Sequence, residues 1–145
     1  MLYTKGRSVV SAPIRTRASL EQIAAMVKYA AQPALRREGL LRFLVASICT
    51  LARLNAIFDM SVAKERCQYD EKDGFFNLNP LGRRQTKKYR PTVPILPGLK
   101  NLLETANDEG WVVHYYGRRV QDVRSSWRQM IKDLGYKVAG SRARM

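Results

Sequence analysis

Five of the eight residues from Arg83 to Arg90 are cations: Arg83, Arg84, Lys87, Lys88 and Arg90. Guanidinium and ammonium groups at that density suit one chemistry above others, the binding of phosphate oxygens by fixed donors that carry charge. Further cations extend the pattern. Arg124, Arg128 and Lys132 recur at i, i+4 and i+8, residues 1–20 hold Lys5, Arg7, Arg15 and Arg17 with no acid, and after Asp133 only Lys137, Arg142 and Arg144 follow. Such strips can follow a nucleic-acid backbone. Solvated basic loops kept for solubility are the plain alternative, and a membrane surface would call for a basic amphipathic helix that these blocks do not form.

The balance of Lys+Arg 26 against Asp+Glu 12 gives 26 − 12 = +14. An excess of that size requires an anionic partner, most often nucleic acid. Two cysteines (Cys49, Cys67) and one histidine (His114) cannot furnish a four-ligand zinc site or a disulfide framework. The acids are scattered, and their one tight group, Asp70-Glu71-Lys72-Asp73, falls in a predicted turn, which ranks a metal-dependent nuclease low. Neither a secretory signal nor a membrane span is expected. The longest largely apolar run, Phe43 to Ala52, is half of the roughly 20 residues a span needs. A reducing cytoplasm, associated with the nucleoid, is the expected location.

With 145 residues, 46% of them hydrophobic, one domain with a packed core is expected. Residues 1–18 read as a basic arm or linker, 19–136 as the folded part and 137–145 as a basic tail. Ser19-Leu20-Glu21-Gln22 fits a capping box, followed by Leu20, Ile23, Ala24, Val27 and Ala31 at helical spacing. Pro33 ends that helix. A second, apolar nearly all round, is predicted from about Ala34 to Ala52, and a short third from Asn55 to Lys64. The period then changes. Arg66–Tyr69, Phe75–Leu78 and Arg90–Leu96 predict a three-stranded antiparallel meander, with the basic cluster in or beside its second hairpin. A helix from Pro97 closed by Gly110, an extended Trp111–Tyr116, and a last helix through Val120, Val123, Trp127, Ile131 and Leu134 to Gly135 complete an α+β domain.

Placed on these elements, two segments resemble the tyrosine recombinases, the phage-integrase family. Leu51-Ala52-Arg53-Leu54-Asn55-Ala56-Ile57 is similar to the family's first arginine motif. Asn79-Pro80-Leu81-Gly82-Arg83-Arg84-Gln85-Thr86-Lys87-Lys88-Tyr89-Arg90-Pro91-Thr92-Val93-Pro94 is similar to its catalytic-lysine hairpin, trailing Val-Pro included. Trp111 to Arg118 and the helix up to Tyr136 extend the likeness over about residues 15 to 136. The resemblance implies a mainly helical catalytic fold with a small sheet, acting on double-stranded DNA in integration or recombination with no metal or ATP. It also implies that Arg53 holds the scissile phosphate and that Lys87, or Lys88 if the hairpin is one residue shorter, protonates the departing 5′-hydroxyl. Fixed cations lower the barrier of such a reaction because negative charge grows on the phosphoryl oxygens. A lysine among other cations also parts with its proton more readily.

The departures bear on activity. Where the family carries an acid three residues after its arginine, this chain has Ala56. The family's His-x-x-Arg motif and tyrosine nucleophile are not found: His114 and Arg118 are four apart and precede the last helix, and Tyr115, Tyr116 and Tyr136 do not occupy the nucleophile's place. The expected reading is therefore the first two thirds of an integrase-like catalytic domain, truncated and impaired in cleavage. It would bind DNA through Arg53, the Arg83, Arg84, Lys88 and Arg90 hairpin, and Arg124 and Arg128. Core surface left uncovered would favour a homo-oligomer or domain swap. The competing reading is a non-catalytic nucleic-acid module that binds RNA or regulatory DNA.

Overall fold

Ser19 starts the first helix as its spacing predicts. In the computed structural model, which describes residues 18–136, the Ser19 hydroxyl accepts the Gln22 amide at 3.1 Å and the Gln22 side chain accepts the Ser19 amide at 2.8 Å. Helix α1 (Leu20–Ala30) turns Met26, Tyr29 and Ala30 inward. Pro33–Leu35 then forms a single 3₁₀ turn that Arg36 ends with φ 52°. The second helix therefore starts later than the apolar pattern predicts: α2 spans Glu38–Thr50. It also ends earlier, because the Thr50 hydroxyl bonds back to Ala46 O at 2.7 Å and accepts the Ala52 amide, while Leu51 turns left-handed at φ 55°. Helix α2 is nonetheless the central one, packed against α1, α3 (Leu54–Phe58), α4 (Pro97–Glu104) and strand β4 (His114–Tyr115).

Helix α3 stops six residues short of the predicted Lys64. Its continuation is pulled out straight by pairing, with Val62 N–H donating to Gly110 O at 2.8 Å and Val112 N–H to Met60 O at 3.2 Å. Tertiary pairing here overrides local helical spacing. Gly110 is required at this contact, because a Cβ there would lie 2.8 Å from the Ala63 amide nitrogen and its φ is +98°.

The meander forms in the predicted order, with shorter strands. β1 (Tyr69–Asp70), β2 (Phe75–Asn77) and β3 (Thr92–Pro94) pair antiparallel, Tyr69 opposite Phe76 and Phe76 opposite Val93. The predicted first strand slips toward the turn because Lys64–Arg66 forms a 3₁₀ turn and Cys67 is left-handed. A second hairpin pairs β4 with β5 (Arg118–Arg119) through Tyr116 and Gly117, both at positive φ, the pattern of a two-residue primed turn. Val120 belongs to the strand exit, its amide bonded to Val113 O, so the last helix, α5 (Arg124–Leu134), begins four residues later than its apolar spacing indicates. Gly135 closes it at φ 74°, with Tyr136 N–H reaching Ile131 O. The architecture is α+β, with five α-helices, a three-stranded sheet and a two-stranded hairpin among the described residues. None of these helices is long and apolar enough to cross a membrane. The basic arm and tail lie outside the described residues, apart from Ala18.

Two polar anchors tie the helices together. Arg42, on the buried face of α2, donates from Nε to Val112 O (2.7 Å), from Nη2 to Leu102 O (2.7 Å) and from Nη1 to Thr105 Oγ1 (3.0 Å). One guanidinium thus ties α2 to the end of α4 and to the strand before β4. Burial pushes its pKa down, partly offset by Glu38. Arg42→Ala would leave two buried carbonyls without a donor and should cost about 3 kcal/mol, measured as a fall in the urea midpoint at unchanged m-value.

The second anchor joins α1 to α5: Tyr29 Oη donates to Asp133 Oδ2 at 2.5 Å, and Gln129 also donates to Asp133. These hydrogen bonds hold the Asp133 carboxyl below its ordinary value near 3.8, and the same bond raises the Tyr29 phenol above 10.0. The carboxylate's contribution is full above its unfolded pKa and is lost as pH falls through the lower folded one. The phenol's is full below its unfolded pKa and is lost as pH rises through the higher folded one. The stability difference between wild type and Tyr29→Phe, followed by denaturation across pH, should be flat from about pH 5 to 9 and shrink at both extremes.

Candidate nucleic-acid interface

The left-handed Leu51 turns the chain out of α2, so that Ala52 and Arg53 lead into α3 along a cavity of about 490 Å³. Arg53 is the N-cap residue of α3, in extended conformation, rather than the last residue of the central helix as its sequence context suggests. Its side chain is exposed, and among the described residues no carboxylate pairs with it. The basic loop between β2 and β3 also lines the cavity, contributing Arg83, Lys88, Tyr89 and Arg90. Lys87 and Arg84 are exposed on the same loop and do not line the cavity. Of the two lysines that the sequence leaves as alternatives, Lys88 is thus the one that shares a cavity with Arg53.

The loop is folded on itself. Asn79 Nδ2 donates to Arg83 O (3.0 Å), and Arg83 Nη1 donates back to Asn79 Oδ1 (2.8 Å). Arg83 Nη2 donates to Lys88 O, the carbonyl that precedes Tyr89, at 3.3 Å. Gln85 stands in for a strand partner: its Oε1 accepts the Arg90 amide at 3.1 Å and its Nε2 donates to Arg90 O at 2.9 Å. Arg83 therefore braces the loop as well as contributing charge to it.

Arg90 is turned the other way. Its side chain is only 13% exposed and its Nη1 lies 2.8 Å from Asp59 Oδ2. The same carboxylate meets Arg66 at 3.1 Å and Arg119 at 3.4 Å through Oδ1. Arg66 and Arg119 also lie over the Trp111 ring, their guanidinium carbons 4.9 and 3.5 Å from its centroid. Desolvation lowers the Arg119 pKa, and Asp59 opposes that shift.

A second cavity, of about 570 Å³, lies next to the first; Leu54 and Asn55 line both. Its walls are Phe43, Phe58, Val123 and Trp127, with Arg124 and Arg128 at the α5 side. Arg124 is held by Asp122, 2.8 Å away, and Arg128 is exposed with no ion pair among the described residues. Six of the eight cations singled out from the sequence (Arg53, Arg83, Lys88, Arg90, Arg124 and Arg128) therefore border two adjoining cavities. No trio of acids, cysteines and histidine is placed to hold a metal among the described residues. His114 is buried, within reach of Thr105 O through Nε2 and of Glu38 through Nδ1, at a distance in the chain from the basic loop.

Sequence reasoning passed over Asp59 and Tyr89. An acid between Phe58 and Met60, both turned toward the core, is the kind of signal that marks a paired carboxylate, and it was hidden by the helical period read across it.

No family model matches the chain, and no curated protein matches it. Among solved structures, a crystal structure of XerA recombinase aligns with 87% of this chain and 44% of its own, at 12% identity and a TM-score of 0.46. This chain thus spans less than half the length of that protein.

Gln85→Ala should free the Arg90 amide. Its hydrogen exchange is expected to rise about tenfold or more, while the α2 amides keep their protection.

Proposed function

We propose that this chain is a DNA-binding domain of the tyrosine-recombinase type, gripping backbone phosphates in the cavity between Arg53 and the basic loop. The reading is supported by the presence of Arg53 and Lys88 in the lining of one cavity, with no carboxylate partner among the described residues. A guanidinium and an ammonium at one cavity match the spread of charge on a phosphodiester. Arg53 takes two phosphate oxygens with its planar fork. Lys88, rather than Lys87, supplies the second cation to the same phosphate. Arg124 and Arg128 extend the contact to neighbouring phosphates along the duplex, past Leu54 and Asn55.

Cleavage is not part of the proposal. The position three residues after Arg53, where the family carries an acid, is Ala56, buried at 2% exposure. The complex proposed is one held by charge and geometry.

Duplex binding should weaken steeply with salt. Arg53→Ala and Lys88→Ala should each cost about tenfold in affinity and lower the log–log salt slope by about one, whereas Arg84→Ala should cost about twofold. Titration of a labelled duplex by fluorescence anisotropy at several salt concentrations measures all three. Tighter binding to single-stranded RNA, with Arg53→Ala no worse than Arg84→Ala, would favour the RNA-module reading. A covalent adduct on nicked duplex that disappears in Tyr89→Phe would overturn the non-cleaving reading.

A further inference from the structure

The phosphate-binding reading needs Arg53 and Lys88 to keep their separation, yet they sit on elements far apart in the chain. A continuous set of contacts joins them through one carboxylate. Asp59 is the C-cap of α3, its amide bonded to Ala56 O and Ile57 O, and Arg53 is the N-cap of the same helix. From Asp59 Oδ2 the path runs 2.8 Å to Arg90 Nη1, from the Arg90 backbone to Gln85 in two hydrogen bonds, and from Arg83, near Gln85, to Lys88 O. The other oxygen of Asp59 is held by Arg66 and Arg119, which lean on Trp111. Nothing in this arrangement has the carboxylate touching the cavity that holds Arg53 and Lys88, since Asp59 does not line it.

We propose that Asp59 is a positioning residue that locks the basic loop to the helix bearing Arg53, and so sets the spacing of the two phosphate-binding cations. This inference rests on the DNA-binding reading for its functional consequence, though the mechanical part stands alone. One acid between three guanidiniums leaves a net positive cluster, so its removal releases three like charges that repel one another. Arg90, as the member attached to the loop, carries that loop away.

The sign of the effect separates positioning from charge. Asp59→Asn adds one positive charge, and by charge alone it would tighten DNA binding. Positioning predicts the reverse: about fivefold weaker binding despite the extra charge, and Lys88→Ala reduced from a large effect in wild type to less than about twofold in the Asp59→Asn background. Asp59→Glu should restore most of both. Without DNA, the amides of Lys88 and Arg90 in Asp59→Asn should exchange about tenfold faster, while those of Leu44 and Ala46 in α2 stay protected.

Tighter binding by Asp59→Asn with an undiminished Lys88→Ala effect would overturn the proposal. Loss of α2 protection together with that of the loop would overturn it as well, by showing a general stabilising role. If the wild-type chain fails to bind duplex DNA, the functional reading falls, and the exchange measurement alone decides whether Asp59 holds the loop.

Discussion

A chain with fourteen more cations than acids must decide where its few carboxylates go, and Asp59 receives three arginines at once. Each of those arginines comes from a different part of the chain: the 3₁₀ turn before the sheet, the end of the basic loop and the β4–β5 hairpin. The carboxylate therefore joins elements that backbone hydrogen bonding leaves separate. Partial burial strengthens such pairs relative to surface ones, and it makes the loss of the one acid costlier than the loss of any one base. Arg42 does the complementary task on the far side of α2 with carbonyls alone, so it anchors the core without drawing on the scarce acids.

Much of the fold was legible because local chemistry and tertiary structure agree. Ser19 and Gln22 specify a helix start by hydrogen bonds between themselves, and Gly135 specifies a stop by its tolerance of positive φ, so both are correctly placed from sequence. The order of the three strands followed from alternation and turn residues. What failed were boundaries governed by distant partners. The helix predicted through Lys64 is cut at Phe58 because residues 110 to 112 pair with residues 60 to 62. Spacing cannot register a hydrogen-bond partner fifty residues away.

The candidate site was legible in kind more than in detail. Guanidinium and ammonium groups clustered at 83–90 announce phosphate affinity whatever the fold, and most of the cations chosen on that ground border the two cavities. The division of labour among them was not. Arg83 and Arg90 look identical to Arg84 in the sequence, yet the first braces the loop, the second is drawn inward by Asp59 and the third is exposed. Which of two adjacent lysines lines the Arg53 cavity depends on a loop conformation braced by Asn79 and Gln85, neither of them charged.

That division has a consequence for how the surface acts. If all five loop cations were free, they would repel one another and spread, giving strong but shapeless attraction to any polyanion. Two of them instead hold the others in place: Arg83 through neutral acceptors, Arg90 through a half-buried acid. The charge that remains outward is smaller, but Lys88 is carried on a braced loop that lines the same cavity as Arg53. On the DNA-binding proposal, selectivity for a phosphodiester of definite geometry would come from that restraint, since a cation contributes to shape recognition only when its position is fixed before the ligand arrives.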